Sequence, residues 1–384
     1  MREVVKVGVL FSRTGSYAPV GGAMFAGAML AIEEVNASRS LPIRIVPVMQ
    51  DPAGVTANYV EAARRMLVDE GISQIVGCYT SSSRKELVPL VEKHDALLWY
   101  PSHYEGFESS ENVIYTGAGP NQHVLPLARY LLATRGRRAW FVGSNYIWAW
   151  ENNRNMREVI SGAGGTILGE RCFPIGETDF DAVIRQILRD RPDFVFNTLI
   201  GESAYSFYRL FREAATAAGI DQPREIPIAS CSLSEPELAL LGGASDGHLS
   251  SSVYFSTVSS PENAAFTSAW RGRHPELGRT SADAEASYVA VHLLAQAIVA
   301  AGGAAFAAVR RAASGLEFAA PQGRVRIDPE TRHCFLRPRI GRSTTAGAFE
   351  IVYESAEPVR PDPYLVWESV TAARAEPTPL RIVS

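Results

Sequence analysis

Lysine is nearly absent from this chain. Of 37 basic residues only Lys6, Lys85 and Lys93 are lysines, and the arginines lie singly or in short pairs such as Arg137-Arg138 and Arg310-Arg311. With a formal net charge of −4, no basic field exists to hold a phosphate backbone, and direct nucleic-acid binding is not expected. Cysteine is scarce as well: Cys78, Cys172, Cys231 and Cys334 are the four. None forms a Cys-x-x-Cys pair or stands at zinc spacing from a histidine, so they read as buried thiols of a reducing compartment or as cysteines whose redox role the sequence hides, and no metal site is expected. Uninterrupted apolar runs are short; residues 295–301, for example, fall far below the roughly 18 needed to span a bilayer. A secretory leader is not legible either. Arg2-Glu3 leads straight into the apolar run 4–11, with Lys6 inside it and no small-residue cleavage site beyond. This reads as a first strand and makes the cytoplasm the expected compartment, with an extracytoplasmic placement as the alternative where a leader has been removed.

Apolar material is plentiful: 46% hydrophobic against 20% charged over 384 residues, enough for more than one packed core. Apolar runs at 5–11, 43–48, 74–79 and 96–100 alternate with helical spacings such as Phe25, Ala28, Met29, Ile32 and Val35. The alternation restarts after Pro120, with strands expected over 138–143, 167–173, 193–199 and 226–230. Helices are expected between them over 151–161, 180–188 and 203–217, then over 282–301 and 304–313. Strands alternating with helices imply parallel sheets covered on both faces, and the units are too many for one sheet. The expected class is therefore α/β, with two doubly wound parallel-sheet lobes. Runs at 323–327, 335–340 and 349–353 read as closing antiparallel hairpins. No shift in composition marks a linker, which points to a chain that crosses between lobes more than once.

Signatures of catalysis are missing. The turn after the first strand, Ser12-Arg13-Thr14-Gly15-Ser16-Tyr17, has a single glycine where a dinucleotide site needs several, and Pro120 removes an amide donor from Gly117-Ala118-Gly119-Pro120. There is no P-loop, no Gly-x-Ser-x-Gly elbow and no His-Glu-x-x-His; Gly201-Glu202-Ser203-Ala204-Tyr205 fails the elbow at its fifth position. An amidohydrolase reading is left with Cys78 or Cys231 near Glu105 or Glu202. We therefore expect a non-enzyme with no catalytic residue and no cofactor. What the strand ends do share is hydroxyls and aromatic rings with few charges: Tyr79 to Ser83, Tyr100 to His103, Ser144 to Trp148, Thr198 to Ser203 and Ser230 to Ser234. In open α/β sheets ligands bind beyond such ends. Ser81 to Ser83 would cap a helix and hold a carbonyl oxygen, with Tyr79, Tyr100, Tyr146 and Trp148 covering the faces of a small, neutral, planar ligand. Taken singly, each residue is equally well a cap or a core side chain; one pattern recurring at separate strand ends favours a pocket.

Several strings carry a resemblance. Gly77-Cys78-Tyr79-Thr80-Ser81-Ser82-Ser83-Arg84-Lys85, then Leu97-Leu98-Trp99-Tyr100-Pro101 with Tyr104-Glu105-Gly106-Phe107-Glu108, resemble the short-chain amide and urea binding branch of the type I periplasmic-binding-protein family. Gly143-Ser144-Asn145-Tyr146-Ile147-Trp148, Ala320-Pro321-Gln322-Gly323 and Pro358-Val359-Arg360-Pro361-Asp362-Pro363-Tyr364 match too, so the resemblance spans nearly the whole chain. Within that branch it is similar above all to cytoplasmic amide sensing that negatively regulates an aliphatic amidase operon. The resemblance implies two lobes joined by a three-crossing hinge, residues 1–119 with 253–327 and 120–252 with 328–384, closing over a short-chain amide or urea in the interlobe cleft. It implies that Tyr79, Ser81, Tyr100, Ser102, Tyr146 and Trp148 contact the ligand. Thr198, Gly201, Glu202, Ser232 and Ser234 are added from their strand-end positions alone. Ser102 and His103 stand where the amide-sensing pattern has Thr and Pro, and Trp148 where it has Tyr, so an indole replaces a phenolic acceptor. The implied partners are an RNA-binding antiterminator in the regulatory reading, an ABC permease in the transport alternative, and further copies of the chain as a homo-oligomer.

Overall fold

The computed structural model describes residues 2–366. Its elements run β1 (Glu3–Leu10), α1 (Ala18–Ala37), β2 (Ile43–Gln50), α2 (Thr56–Arg64), β3 (Gln74–Gly77), α3 (Ser81–Lys93), β4 (Leu97–Tyr100) and β5 (Val113–Tyr115). Next come α4 (Val124–Thr134), β6 (Arg138–Ser144), α5 (Ile147–Gly162), β7 (Thr166–Phe173), α6 (Asp181–Asp190), β8 (Phe194–Thr198) and α7 (Glu202–Ala217). Then follow α8 (Gln222–Glu225), β9 (Ile228–Ser230), α9 (Glu235–Leu238) and β10 (Leu249–Ser252). The chain closes with α10 (Pro261–Arg273), α11 (Ala282–Ala301), α12 (Phe306–Ala313), β11 (Glu317–Ala320), β12 (Gly323–Ile327), β13 (Cys334–Phe335), β14 (Arg339–Ser343) and β15 (Phe349–Glu354).

The described residues divide into two compact units, one holding residues up to 118 with 259–336 and the other holding 119–258 with those from 337 onward, and the chain so passes from one to the other three times. Gly119 and residues 253–258 and 328–336 group with the opposite unit from the one the resemblance implies. The reasons are local. Thr257 donates its hydroxyl proton to the Phe349 carbonyl at 2.7 Å, inside the second unit, and β13 pairs antiparallel with β12 in the first. The last stretch assigned to the second lobe, 367–384, lies outside the described residues.

In unit 1 five parallel strands run in the order β2-β1-β3-β4-β5. β3 and β4 read Gln-Ile-Val-Gly and Leu-Leu-Trp-Tyr and are buried throughout, as strands covered on both faces must be. Helices α1 and α11 pack on one another so closely that a Cβ at Gly27 would lie 2.1 Å from the Ala284 carbonyl oxygen. Both are 20 residues long and apolar enough to cross a bilayer by length and composition, but most of each is buried within the unit. In α1 the stretch from Ala18 to Ile32 carries no polar residue but is interspersed with Pro19 and glycines, while in α11 Asp283, Glu285, His292 and Gln296 interrupt the apolar positions.

Unit 2 holds seven strands in the order β15-β14-β10-β9-β8-β6-β7. Its parallel part, β7-β6-β8-β9-β10, repeats the strand order of unit 1, while β14 and β15 are antiparallel. The closing hairpins therefore belong to different sheets: β11-β12-β13 is a small sheet of unit 1, and β14-β15 extends the sheet of unit 2. The Pro-rich segment after β15 is clasped from the loop before α4. Asn121 Nδ2 donates to Arg360 O at 2.7 Å, Asp362 N donates to Asn121 Oδ1 at 2.9 Å, and Gln122 Nε2 donates to Val359 O at 2.9 Å. The two motifs on either side of this clasp are thus structural partners.

Candidate functional site

In a doubly wound sheet the crevice opens where the strand order reverses, here between β1 and β3 in unit 1 and between β6 and β8 in unit 2. In unit 1 the chain leaves β3 through Cys78-Tyr79-Thr80 and enters α3. Thr80, and not Ser81 to Ser83 as expected, is the N-cap: its Oγ1 accepts from Ser83 N at 3.2 Å. Ser81 is turned the other way and donates its Oγ proton to Glu105 Oε2 at 2.7 Å. Half-buried Tyr79 lies with its ring 5.7 Å from that of Tyr17. Tyr100, at the end of β4, is buried; its OH donates to Tyr79 O at 2.8 Å and accepts from Arg84 Nη1 at 3.2 Å. Ser102 is buried two residues further on. A Cβ at Gly117 would lie 2.1 Å from the Ser102 carbonyl oxygen, so only glycine fits beside it. Of the residues expected here, Tyr79, Ser81 and Tyr100 form one hydrogen-bonded group.

That group hangs on charges the sequence reading passed over. Arg84, fully buried, donates from Nη2 to Glu105 Oε1 at 2.9 Å and from Nε to Glu108 Oε1 at 2.7 Å. Its guanidinium lies 4.9 Å from the Tyr100 ring centroid and 4.8 Å from that of Tyr104. Lys85 Nζ adds a bond to Glu108 Oε2 at 2.9 Å. Burial alone would raise the pKa of Glu108, but Arg84 and Lys85 outweigh it and hold the carboxyl at about 2. Two cations thus face two carboxylates. Arg13, at the end of β1, is matched as well, by Asp51 at 3.9 Å. Behind the cluster His333 stacks on Tyr115 with ring centroids 4.0 Å apart. Its Nδ1 is 2.7 Å from the Thr331 carbonyl and so carries the proton, which leaves Nε2 to accept from Tyr104 OH at 2.5 Å. Burial pushes this imidazole down to about 4. The sequence signal for the whole set is a Glu-x-x-Glu pair at 105 and 108 beside Arg84-Lys85, in strand-end segments otherwise poor in charge.

In unit 2 Tyr146 is the half-buried N-cap of α5, and Trp148 is buried in a cluster with Phe141, Phe196 and Ile340. Thr198 points inward: its hydroxyl donates to Asn153 Oδ1 at 2.9 Å, and Gly143 makes room for it, since a Cβ there would lie 2.4 Å from Thr198 Oγ1. Gly201 adopts φ 60°, ψ −139° before α7, a backbone region only glycine occupies readily. Glu202 lies at the surface with its carboxylate 2.9 Å from Arg209 Nη2. Ser232 pairs with Ser230 across 3.0 Å. Ser234 closes a capping box on α9, donating to Glu237 Oε2 at 2.9 Å. Thr198, Glu202, Ser232 and Ser234 are thus paired within the unit, and Tyr146, Trp148 and Gly201 stand at the same strand-end turns.

The chain's relatives agree with this architecture. The model of the periplasmic binding protein domain matches residues 5–370. The chain belongs to that family. Among curated binding proteins, a Leu/Ile/Val-binding protein homolog 6 of Brucella abortus is 24% identical over 339 residues, covering 86% of this chain and 85% of that one. A leucine-specific-binding protein of Salmonella typhimurium is 25% identical over 201 residues, covering 51% and 54%. In three dimensions the chain is similar to a solute binding protein of an ABC transporter from R. palustris, in complex with 4-hydroxybenzoate. The TM-score is 0.84, at 20% identity over 95% of this chain and 100% of that one. A branched-chain amino acid transporter substrate binding protein from Streptococcus pneumoniae, in complex with isoleucine, gives 0.80 at 21% identity over 94% and 100%. The α/β two-lobe periplasmic binding protein fold follows, and with it a solute-binding protein in place of an enzyme. Nucleophilic cysteine chemistry finds no support in this binding protein: Cys78 is fully buried, and burial raises its thiol to about 11. Cys231 is buried and raised in the same way. Cys172, by contrast, is exposed, which corrects the reading of all four cysteines as buried. Its place on edge strand β7 is the reason.

Proposed function

We propose that this protein is the solute-binding component of an ABC importer and that its solute is a short, uncharged amide or urea. The matched charge set in unit 1 carries the ligand class. A solute carboxylate would have to draw Arg84 away from Glu105 or Glu108, leaving a buried carboxylate unpaired, which costs several kcal/mol. Hydroxyls and rings at Tyr79 and Ser81 instead suit a neutral molecule that donates and accepts hydrogen bonds. Leucine, isoleucine and 4-hydroxybenzoate, named for the relatives, are all carboxylates. At identities of 20–25% their ligands do not transfer with the fold.

The relatives' names, those of binding proteins and transporter components, support uptake over the regulatory reading. An ABC permease is accordingly the partner we adopt in place of an antiterminator, and an extracytoplasmic compartment in place of the cytoplasm. Titration calorimetry with acetamide, butyramide, urea, leucine and benzoate tests the ligand class. Heat is expected with one or more of the first three and none with the last two. Binding confined to leucine or benzoate, or no heat with any amide or urea, overturns it.

A further inference from the structure

We propose that Glu105 sets the direction of the Ser81 hydroxyl, so that Ser81 meets the solute as a hydrogen-bond acceptor and selects for N–H donors. The inference rests on the amide or urea reading and adds to it a residue that decides the specificity. A carboxylate only accepts hydrogen bonds. Glu105 Oε1 is taken by Arg84 Nη2 at 2.9 Å and Oε2 faces Ser81 Oγ at 2.7 Å, so the proton between Oε2 and Oγ is the serine's own. Serine has one hydroxyl proton and two lone pairs. With the proton committed to Glu105, the lone pairs are what Ser81 offers beside Tyr79. The carboxylate cannot swing away, because it is 1% exposed and lies on a guanidinium that Glu108 and Tyr100 also hold.

Glu105→Gln reverses this arrangement. Arg84 carries donors only, so the glutamine amide must turn its oxygen to Arg84 and its NH₂ to Ser81. Ser81 then accepts from Gln, and its own proton is released toward the solute.

The test compares acetamide with acetone, which has the same shape and carbonyl but no N–H, and with acetate, which places an acceptor where acetamide has its NH₂. In the unaltered protein acetamide is expected to bind at least about tenfold more tightly than acetone. Ser81→Ala and Glu105→Gln should each cut that preference at least about fivefold. Acetate should gain on acetamide in Glu105→Gln alone. Damage to the fold lowers affinity for all three solutes and leaves the ratios where they were, so the ratios separate a positioning role from a structural one. Should Glu105→Gln fail to fold, Ser81→Ala still decides: an unchanged acetamide-to-acetone ratio overturns the inference. If the unaltered protein binds no amide or urea, the functional reading fails instead, and the two failures are distinct.

Discussion

Replacing Arg84 by methionine tests the charge cluster on which the ligand assignment stands. Methionine keeps an unbranched apolar stem and removes the guanidinium that lies over the Tyr100 and Tyr104 rings, with its bonds to Glu105, Glu108 and Tyr100. Breaking a buried ion pair from one side typically costs about 3–5 kcal/mol, because the partner stays behind unpaired, and that is the loss expected at pH 7. The pH dependence carries a second signature. Glu108 titrates at about 2 in the folded protein against 4.5 ordinarily. A carboxyl with a depressed folded pKa contributes stability that is whole above the unfolded value and is lost as pH falls through the folded one. Between pH 7 and pH 3.5 the unaltered protein should lose roughly 1.5 kcal/mol through this group. The variant retains Lys85 and the Tyr115 hydroxyl on Glu108 but loses the guanidinium, and should lose less, so the gap between the two proteins narrows on acidification. Thermal unfolding of both, followed by calorimetry at pH 7 and pH 3.5, measures it. A gap below about 1 kcal/mol at pH 7, against the burial penalty of an unpaired ion, or one that holds constant or widens toward pH 3.5, would refute the reasoning.

Three further outcomes follow from the geometry. His333 titrates at about 4 when folded against 6.5 ordinarily, so the unfolded chain binds the extra proton first and stability falls as pH drops below 6.5. From pH 7 to pH 5 this group should account for about 2 kcal/mol, and His333→Gln should flatten that part of the stability profile; parallel profiles would show that the imidazole is not held neutral. Asn121→Ala removes both bonds to the segment after β15 and should cost about 1–3 kcal/mol, with hydrogen exchange rising over residues 357–363; protection that survives the substitution would mean that other contacts hold the segment. Under native conditions one thiol per chain, that of Cys172, should react rapidly with a disulfide reagent, the other three only after unfolding; rapid native labelling of Cys78 would contradict its burial.

Much of the molecule was legible in one dimension because its physics is local. Apolar runs alternating with helical spacing state that strands are covered on both faces, and the restart of that rhythm after Pro120 states that there are two sheets. The two sheets do share one strand order, β2-β1-β3-β4-β5 in unit 1 and β7-β6-β8-β9-β10 in unit 2. Strand-end turns rich in hydroxyls and rings were readable for the same reason, since the residue after a strand is placed by the strand. What a side chain faces was not readable. That Ser81 turns to Glu105, that Thr198 bonds Asn153, and that Tyr104 donates to His333 depend on segments between 24 and 229 residues apart meeting in space. Hydrogen-bond direction has no sequence period. It is settled only when packing excludes water and each buried polar group must find its partner inside the protein, so the amino-acid order determined which groups stand at the strand ends, and the tertiary structure alone decided which of them are committed elsewhere.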